Sequence, residues 1–225
     1  MDENKMDDLS KNDWHDPEKA MHFAKNYDQR YGDVFWQTFD ELIGSVSDVV
    51  IADFGCGPGL WLRDAGIRLH ARKLIGIDAS PAMLEYAEGA LNSSEAPSFQ
   101  LHLADFDIEG IPLSDSTVDL GFSGYFLHEL KNPRAFIIQL FERLNADGLC
   151  VVLDFVSGHP DEFARQLQQA GMNEDEARRR YPHMCKHSVE DIERILGSAG
   201  FEEVRSKKIQ QTRALIVGEK KLKHE

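Results

Sequence analysis

Long apolar runs are missing from this 225-residue chain: none approaches the roughly 18 residues that a membrane-spanning helix requires. Positive charge is scarce as well, with 25 Lys and Arg against 39 Asp and Glu and a formal net charge of −14. That balance argues against a protein whose main task is to grip a polyanion, so no nucleic-acid partner is expected. The single cationic run, Arg178-Arg179-Arg180, reads as a solvated helix end. Only three cysteines occur, Cys56, Cys150 and Cys185, and none stands in a Cys-x-x-Cys spacing. This points to a reducing compartment and excludes a disulfide framework. The opening residues, Met1 to Lys5, are polar and acidic, unlike a signal peptide, so the expectation is a cytoplasmic protein without membrane insertion. Internal repeats and low-complexity segments are also lacking.

What is present is ordinary globular composition, 42% hydrophobic and 28% charged, enough for one full domain over 1–225 and little more. Residues 1–13 are polar and expected to fray. From Asp16-Pro17 to about Ile43, the residues Phe23, Tyr27, Tyr31, Phe35, Phe39 and Leu42 recur at three- and four-residue intervals. That is helical periodicity, broken near Gly32, and makes 1–45 an N-terminal helical cap. Over 46–156, short apolar strands at 49–53, 74–78, 99–104, 118–123 and 149–155 alternate with helical stretches near 59–66, 81–91 and 133–144. Strands without inside/outside alternation belong to a parallel sheet covered on both faces, here an open doubly wound one. Ser80-Pro81 and Asn132-Pro133 start helices, and Asp147-Gly148 marks a turn into the fifth strand. Residues 157–187 are the least regular and are expected to form a lid or substrate-facing insertion. Over 188–225, Ser188 to Asp191 opens a helix that ends at Ala199-Gly200, and 201–207 with 212–217 form an antiparallel hairpin at the sheet edge.

The chemistry concentrates at Asp53-Phe54-Gly55-Cys56-Gly57-Pro58-Gly59, which follows the first strand, and at Asp78, nineteen residues past Gly59. Ligands of such sheets bind at the carboxyl ends of the strands. Glycines let backbone approach a ligand closely, and a carboxylate closing the next strand can accept both ribose hydroxyls. A dinucleotide fingerprint, Gly-x-Gly-x-x-Gly, would need its third glycine where Leu60 stands, so a nicotinamide cofactor is disfavoured. An acid before the turn would repel a pyrophosphate and suits a cationic ligand without phosphate. S-adenosyl-L-methionine, with its sulfonium and ammonium, matches best.

The chain resembles the class I S-adenosylmethionine-dependent methyltransferases, of the small-molecule type that includes the ubiquinone/menaquinone-like enzymes. Asp53 to Gly59 resembles the first family motif, Ile77-Asp78-Ala79-Ser80-Pro81-Ala82-Met83 the second and Ala104-Asp105-Phe106 the third. Val118 to Ser123 with Leu127-His128-Glu129-Leu130 resembles the fourth-strand motif. The resemblance implies a Rossmann-like fold, mostly parallel with a C-terminal antiparallel hairpin strand. It also implies roles: Gly55, Cys56, Gly57 and Gly59 against the methionine moiety, Asp53 at its ammonium and Asp78 at the ribose. Ala79, Ser80 and Met83 would line the adenine, Ala104, Asp105 and Phe106 its edge and wall, and Ser123 the top of the fourth strand.

Methyl transfer from a sulfonium is an in-line displacement that needs alignment, water exclusion and, for some acceptors, proton removal. A dedicated catalytic residue is therefore not obligatory. His128 has the pKa suited to a base, and Tyr125 stands beside it in sequence. Candidates on the acceptor side are Tyr27, Tyr31, Glu129, Asp154, His159, Tyr181 and His183. His183-x-x-x-His187 with Cys185 has metal-like spacing, yet Pro182 and the lack of a fourth ligand favour ordinary lid residues and no metal. No Asn/Asp-Pro-Pro-Tyr follows the fourth strand, where Ser123-Gly124-Tyr125 stands, so amino-methylation of bases or glutamine is disfavoured by the resemblance. The expected partner is a small-molecule methyl acceptor, and a homodimer is compatible with everything above. A non-catalytic S-adenosylmethionine-binding regulatory module is the alternative.

Overall fold

The computed structural model describes Met21, residues 24–93 and residues 95–222. The expectations for residues 1–13, Asp16-Pro17 and Phe23 lie outside the described residues. Helices α1 (Tyr27–Arg30) and α2 (Asp33–Ile43) are separated at Tyr31-Gly32, where the periodic pattern breaks. Then follow β1 (Val50–Phe54), α3 (Leu60–Arg68), β2 (Lys73–Asp78), α4 (Pro81–Asn92), β3 (Phe99–Leu103) and β4 (Val118–Gly124). A single 3-10 turn, Leu127–Glu129, precedes α5 (Pro133–Arg143) and β5 (Leu144–Phe155). Helices α6 (Pro160–Gln169), α7 (Glu174–Met184) and α8 (Val189–Ala199) lead to the hairpin β6 (Glu202–Gln210) and β7 (Arg213–Lys220).

The seven strands form one sheet in the order β3-β2-β1-β4-β5-β7-β6. β1 to β5 run parallel, and β7 lies antiparallel to both β5 and β6. Order reverses between β1 and β4, so the crevice above their carboxyl ends is the switch point where such sheets take ligands. Both faces are buried, as the near-continuous apolar strands require. Ile51, Leu120, Phe122, Val151 and Leu153 pack beneath α2 and α3. Ala52, Phe54, Cys150, Val152 and Ile216 pack beneath α5 and α8. Helix starts follow their caps: the Ser80 and Asn132 side chains accept from the amides of Met83 and Ala135, and Ser188 and Asp191 close a reciprocal capping box. Among the described residues no helix is long and apolar enough to cross a membrane.

Two segments differ from the sequence reading. Residues 157–187 are not irregular but form the helical pair α6–α7, whose caps are His159 and Asn173. α6 buries only Phe163 and Ala164 and α7 only Ala177, so the apolar stripe is short in the first and missing in the second. Pro182 is accommodated inside the last turn of α7. The fifth strand begins at Leu144 rather than 149, because Asp147-Gly148 bulges within it: Asp147 has φ +60° and the register with β4 shifts there.

Candidate active site

The glycine turn hangs from the end of β2. The amides of Gly55 and Cys56 both donate to the Ile77 carbonyl, at 2.8 and 3.0 Å. The Gly57 amide donates to Asp78 Oδ2 at 2.8 Å, and the Ser80 amide to Asp78 Oδ1 at 2.8 Å. Asp78 thus ties both motifs into one wall. Two glycines are obligatory here. Gly55 has φ +79°, and a Cβ on it would sit 2.8 Å from the ring of Phe126; Gly59, at φ +70°, would press one into Ala87 of α4 at the same distance. Only a residue without Cβ lets the turn pack this tightly and adopt these angles. Ser80 and Met83 are buried behind the turn and Ala79 is exposed at its edge. Ala104 is buried after β3, Asp105 Oδ1 accepts from the Asp107 amide at 2.9 Å, and Phe106 packs edge-on to Phe54 and Phe126.

Asp53 ends β1 directly below. It is 2% exposed, and its Oδ1 has no hydrogen-bond partner among the described residues. Burial, with the Asp78 carboxylate adding to it, holds its pKa well above the ordinary carboxylate range. Ser123, at the end of β4, is likewise fully buried with an unpartnered hydroxyl. Buried polar atoms without partners are rare and call for an explanation, and at the ends of two adjacent strands a ligand is one. This pair fits a ligand that brings a positive charge and hydrogen-bond donors to the glycine turn.

Across the switch point stands a second group. Asp154, near the end of β5 and 1% exposed, accepts from the His128 amide at 3.0 Å, from the Phe155 amide at 2.7 Å and faces His128 Nδ1 at 2.5 Å. His128 Nε2 lies 3.2 Å from Glu129 Oε1, and Glu129 Oε2 lies 3.1 Å from His183 Nε2 on α7. The chain of contacts therefore runs from the core to the helical pair. Burial works to lower the His128 pKa, but the Asp154 and Glu129 carboxylates outweigh it and push it up to about 9. Glu129 is held below the usual carboxylate range by the two histidines, against the opposing effect of burial.

Not every residue singled out from sequence joins this rim. Tyr31 and Tyr125 do, with ring centroids 6.0 Å apart. Tyr27 lies tilted against Tyr31 but donates its hydroxyl to Asp64 of α3 at 2.6 Å. Tyr181 spans to the Gly158 backbone at 2.5 Å. His159 caps α6 with its side chain 69% exposed, apart from the other candidates. Cys185 is buried between Phe155 and Phe163, and among the described residues no three His, Cys, Asp or Glu groups gather in a metal-binding arrangement. Three rim residues had no signal in the sequence: Phe126, lying on Gly55, Arg30, and Arg213, whose Nη1 donates to the Tyr125 hydroxyl at 3.0 Å. A groove of about 470 Å³ lined by Val49, Asp119 and Asp147 opens at the opposite, amino-terminal ends of the strands, away from this chemistry.

A doubly wound sheet with a glycine turn, a clasped acid closing β2 and a buried acid near the end of β1 is an arrangement that fits a nucleoside ligand with a cationic group. Residues 52–152 match the family described as "Methyltransferase domain". Over 120 residues the chain is 28% identical to a malonyl-[acyl-carrier protein] O-methyltransferase of Yersinia pestis, covering 53% of this chain and 42% of that one. Over 73 residues it is 33% identical to a ribosomal protein L11 methyltransferase of Cyanothece sp., covering 32% and 24%. The chain thus spans less than half the length of these curated relatives. A crystal structure of an S-adenosylmethionine-dependent methyltransferase from Aquifex aeolicus superposes with a TM-score of 0.69 at 20% identity, covering 91% of this chain and 98% of that one. A Haemonchus contortus phosphoethanolamine N-methyltransferase 2 in complex with S-adenosyl-L-methionine gives 0.68 at 12% identity, covering 92% and 58%. These matches make residues 52–152 similar to methyltransferase domains and give the chain the fold of solved S-adenosylmethionine-dependent methyltransferases.

Proposed function

We propose that this chain methylates a small-molecule acceptor held at the rim between β4, β5 and α1. The observation that carries the reading is the orphaned, buried Asp53 carboxylate beside the glycine turn, a site built for a cationic group. When bound, S-adenosylmethionine supplies an electrophilic methyl on a sulfonium with a thioether as leaving group. Asp53 binds the methionyl ammonium, and the backbone from Gly55 to Gly59 with Cys56 packs against the methionine moiety. Asp78 takes the ribose hydroxyls, Ala79, Ser80 and Met83 line the base, and Ala104, Asp105 and Phe106 close its edge. Ser123 offers its hydroxyl at the top of β4.

On the acceptor side, Tyr31 and Tyr125 supply walls that exclude water, and α6–α7 with Tyr181 and His183 serve as a lid over 157–187. His128 acts as a positioning residue. Both its ring nitrogens face carboxylates and its pKa of about 9 keeps it protonated near neutral pH, so it holds a proton instead of removing one. A base role needs Glu129 to swing off Nε2 and the proton to leave. The acidic composition and the aromatic rim support a small acceptor over a nucleic acid, and every residue invoked comes from one copy of the chain.

Calorimetry tests the donor site: S-adenosylhomocysteine should bind and NADH should not. Asp78→Ala should weaken binding about ten- to a hundredfold, the worth of charge-assisted hydrogen bonds; unchanged affinity sinks the assignment. Incubation with methyl-labelled cofactor and pools of small metabolites tests the reaction. Persistent binding with no label transferred would replace catalysis by a regulatory module.

A further inference from the structure

The antiparallel return of β7 has a consequence at the rim. Because β7 runs against β5, its first residue, Arg213, pairs with Phe155 at the carboxyl end of β5. An arginine from the far end of the chain is thereby delivered to the switch-point side of the sheet. Arg213 uses Nε on Gln210 Oε1 at 2.7 Å and Nη1 on the Tyr125 hydroxyl at 3.0 Å. Both partners are neutral, and among the described residues no carboxylate pairs with it. Of the five donors a guanidinium carries, the other three make no hydrogen bond among the described residues. A second cation, Arg30 at the end of α1, comes close enough that Arg213, Tyr31 and Tyr125 all bear on its charge, and burial pulls its pKa down.

The residue between them is strained. Tyr125 follows Gly124 with φ +54°, a left-handed conformation that a bulky residue adopts only where its surroundings hold it. It is pinned there by its amide donating to the Leu153 carbonyl at 2.7 Å and by Arg213 on its hydroxyl. The ring is thus aimed at the rim between Tyr31 and Phe155, whose centroids lie 6.0 and 5.1 Å away. The acids nearby are already answered, or have another use: Asp154 is held by His128 and two amides, and Asp53 faces the donor side. At this rim Arg213 remains a positive charge with no carboxylate partner among the described residues.

We propose that Arg213, with Arg30, is an anion-recognition subsite of the acceptor pocket, so that the acceptor carries a carboxylate or phosphate beside an aromatic or otherwise apolar body that packs on Tyr31, Tyr125 and Phe155. The proposal rests on the methyltransferase reading above and names its substrate class. The planar guanidinium fork matches either oxyanion with paired N–H···O bonds. Aromatic walls around it exclude water and strengthen the pairing.

The experiment uses the full chain saturated with S-adenosylhomocysteine and titrated with 2-naphthoate, 2-naphthyl phosphate and the neutral isostere 2-naphthamide. At least one of the two anions should bind about tenfold or more tightly than the amide, and the tighter of the two names the group. Arg213→Gln should bring acid and amide to within about twofold, Arg213→Lys should keep part of the preference, and Arg30→Gln should reduce it. The S-adenosylhomocysteine affinity of each variant reports whether its fold persists, and where Arg213→Gln does not fold, Arg30→Gln carries the comparison. Equal binding of anions and amide, or a preference that survives these substitutions, overturns the proposal while leaving the methyltransferase reading intact. Failure of S-adenosylhomocysteine to bind the wild-type chain overturns both.

Discussion

Asp53 and Asp154 occupy matching places at opposite sides of one crevice. Each stands at or next to the carboxyl end of its strand, and the two are nearly equal in exposure at 2% and 1%. Their surroundings are opposite. Asp154 receives two backbone amides and an imidazole, and its partner His128 receives a second carboxylate in turn. Asp53 keeps an oxygen with no partner among the described residues and bears the Asp78 charge as well. A buried charge is tolerated when paired and hydrogen-bonded and is otherwise costly. One acid is therefore a finished structural clamp, and the other, in the function proposed above, waits for a counter-charge that a ligand brings. Equal burial says nothing about role; the hydrogen-bond complement decides it.

The sharpest way to break the comparison is to remove the finished clamp. Asp154→Ala strands the His128 imidazolium against Glu129 alone and leaves the amides of His128 and Phe155 without acceptors. Breaking one side of a buried ion pair costs about 3–5 kcal/mol, and denaturant titration should show a loss of that order, with cofactor affinity falling as β4 and β5 loosen. A loss under about 1 kcal/mol would mean the clamp is not closed in solution.

Next comes pH. His128 is raised to about 9 by its carboxylates against the pull of burial, above its unfolded value of about 6.5. Its stabilising contribution is therefore fully present below about pH 6.5 and is lost as pH rises through about 9. Thermal melts should fall between pH 7 and 9.5 by an amount worth up to about 3 kcal/mol, and His128→Asn should flatten that slope. An equal slope in the variant would assign the loss to other groups.

The two acids also differ in how far they could be read in advance. The Asp53 side is local: a strand, a turn and an acid nineteen residues on lie in one βαβ unit, and the register Asp53↔Gly76 with Phe54↔Ile77 follows from two apolar runs. The strands and helices of 50–143 accordingly fall within a residue or two of their apolar patterns. The Asp154 side is assembled from distance. Tyr125 meets Arg213 across 88 positions because a hairpin returns antiparallel, and His183 reaches Glu129 across 54. No periodicity encodes such meetings. The helices α6 and α7 escaped for a different reason, being polar around most of their circumference, with a proline inside the second. The bulge at Asp147-Gly148 looked like a strand boundary because a left-handed Asp before Gly is what turns use.

The smallest effect is the most discriminating. Asp53→Asn keeps the shape and removes the charge. The folded-state pKa of Asp53 is raised, so in the ligand-free protein this acid penalises folding increasingly as pH climbs above its unfolded value of about 3.9. The variant should then be more stable than wild type at pH 7–8, by about 1 kcal/mol or more, with the gain vanishing near pH 4. Its S-adenosylmethionine affinity should move the opposite way, falling about tenfold or more for want of the carboxylate proposed to meet the ammonium. Saturating cofactor stabilises in proportion to the logarithm of its occupancy ratio, so the order of melting should invert: variant above wild type when free, wild type above variant when loaded. The same inversion is not expected of any change at Asp154, whose charge is already matched in the free protein. If Asp53→Asn lowered stability at every pH, the orphaned oxygen would have a partner in solution and the contrast between the two acids would collapse.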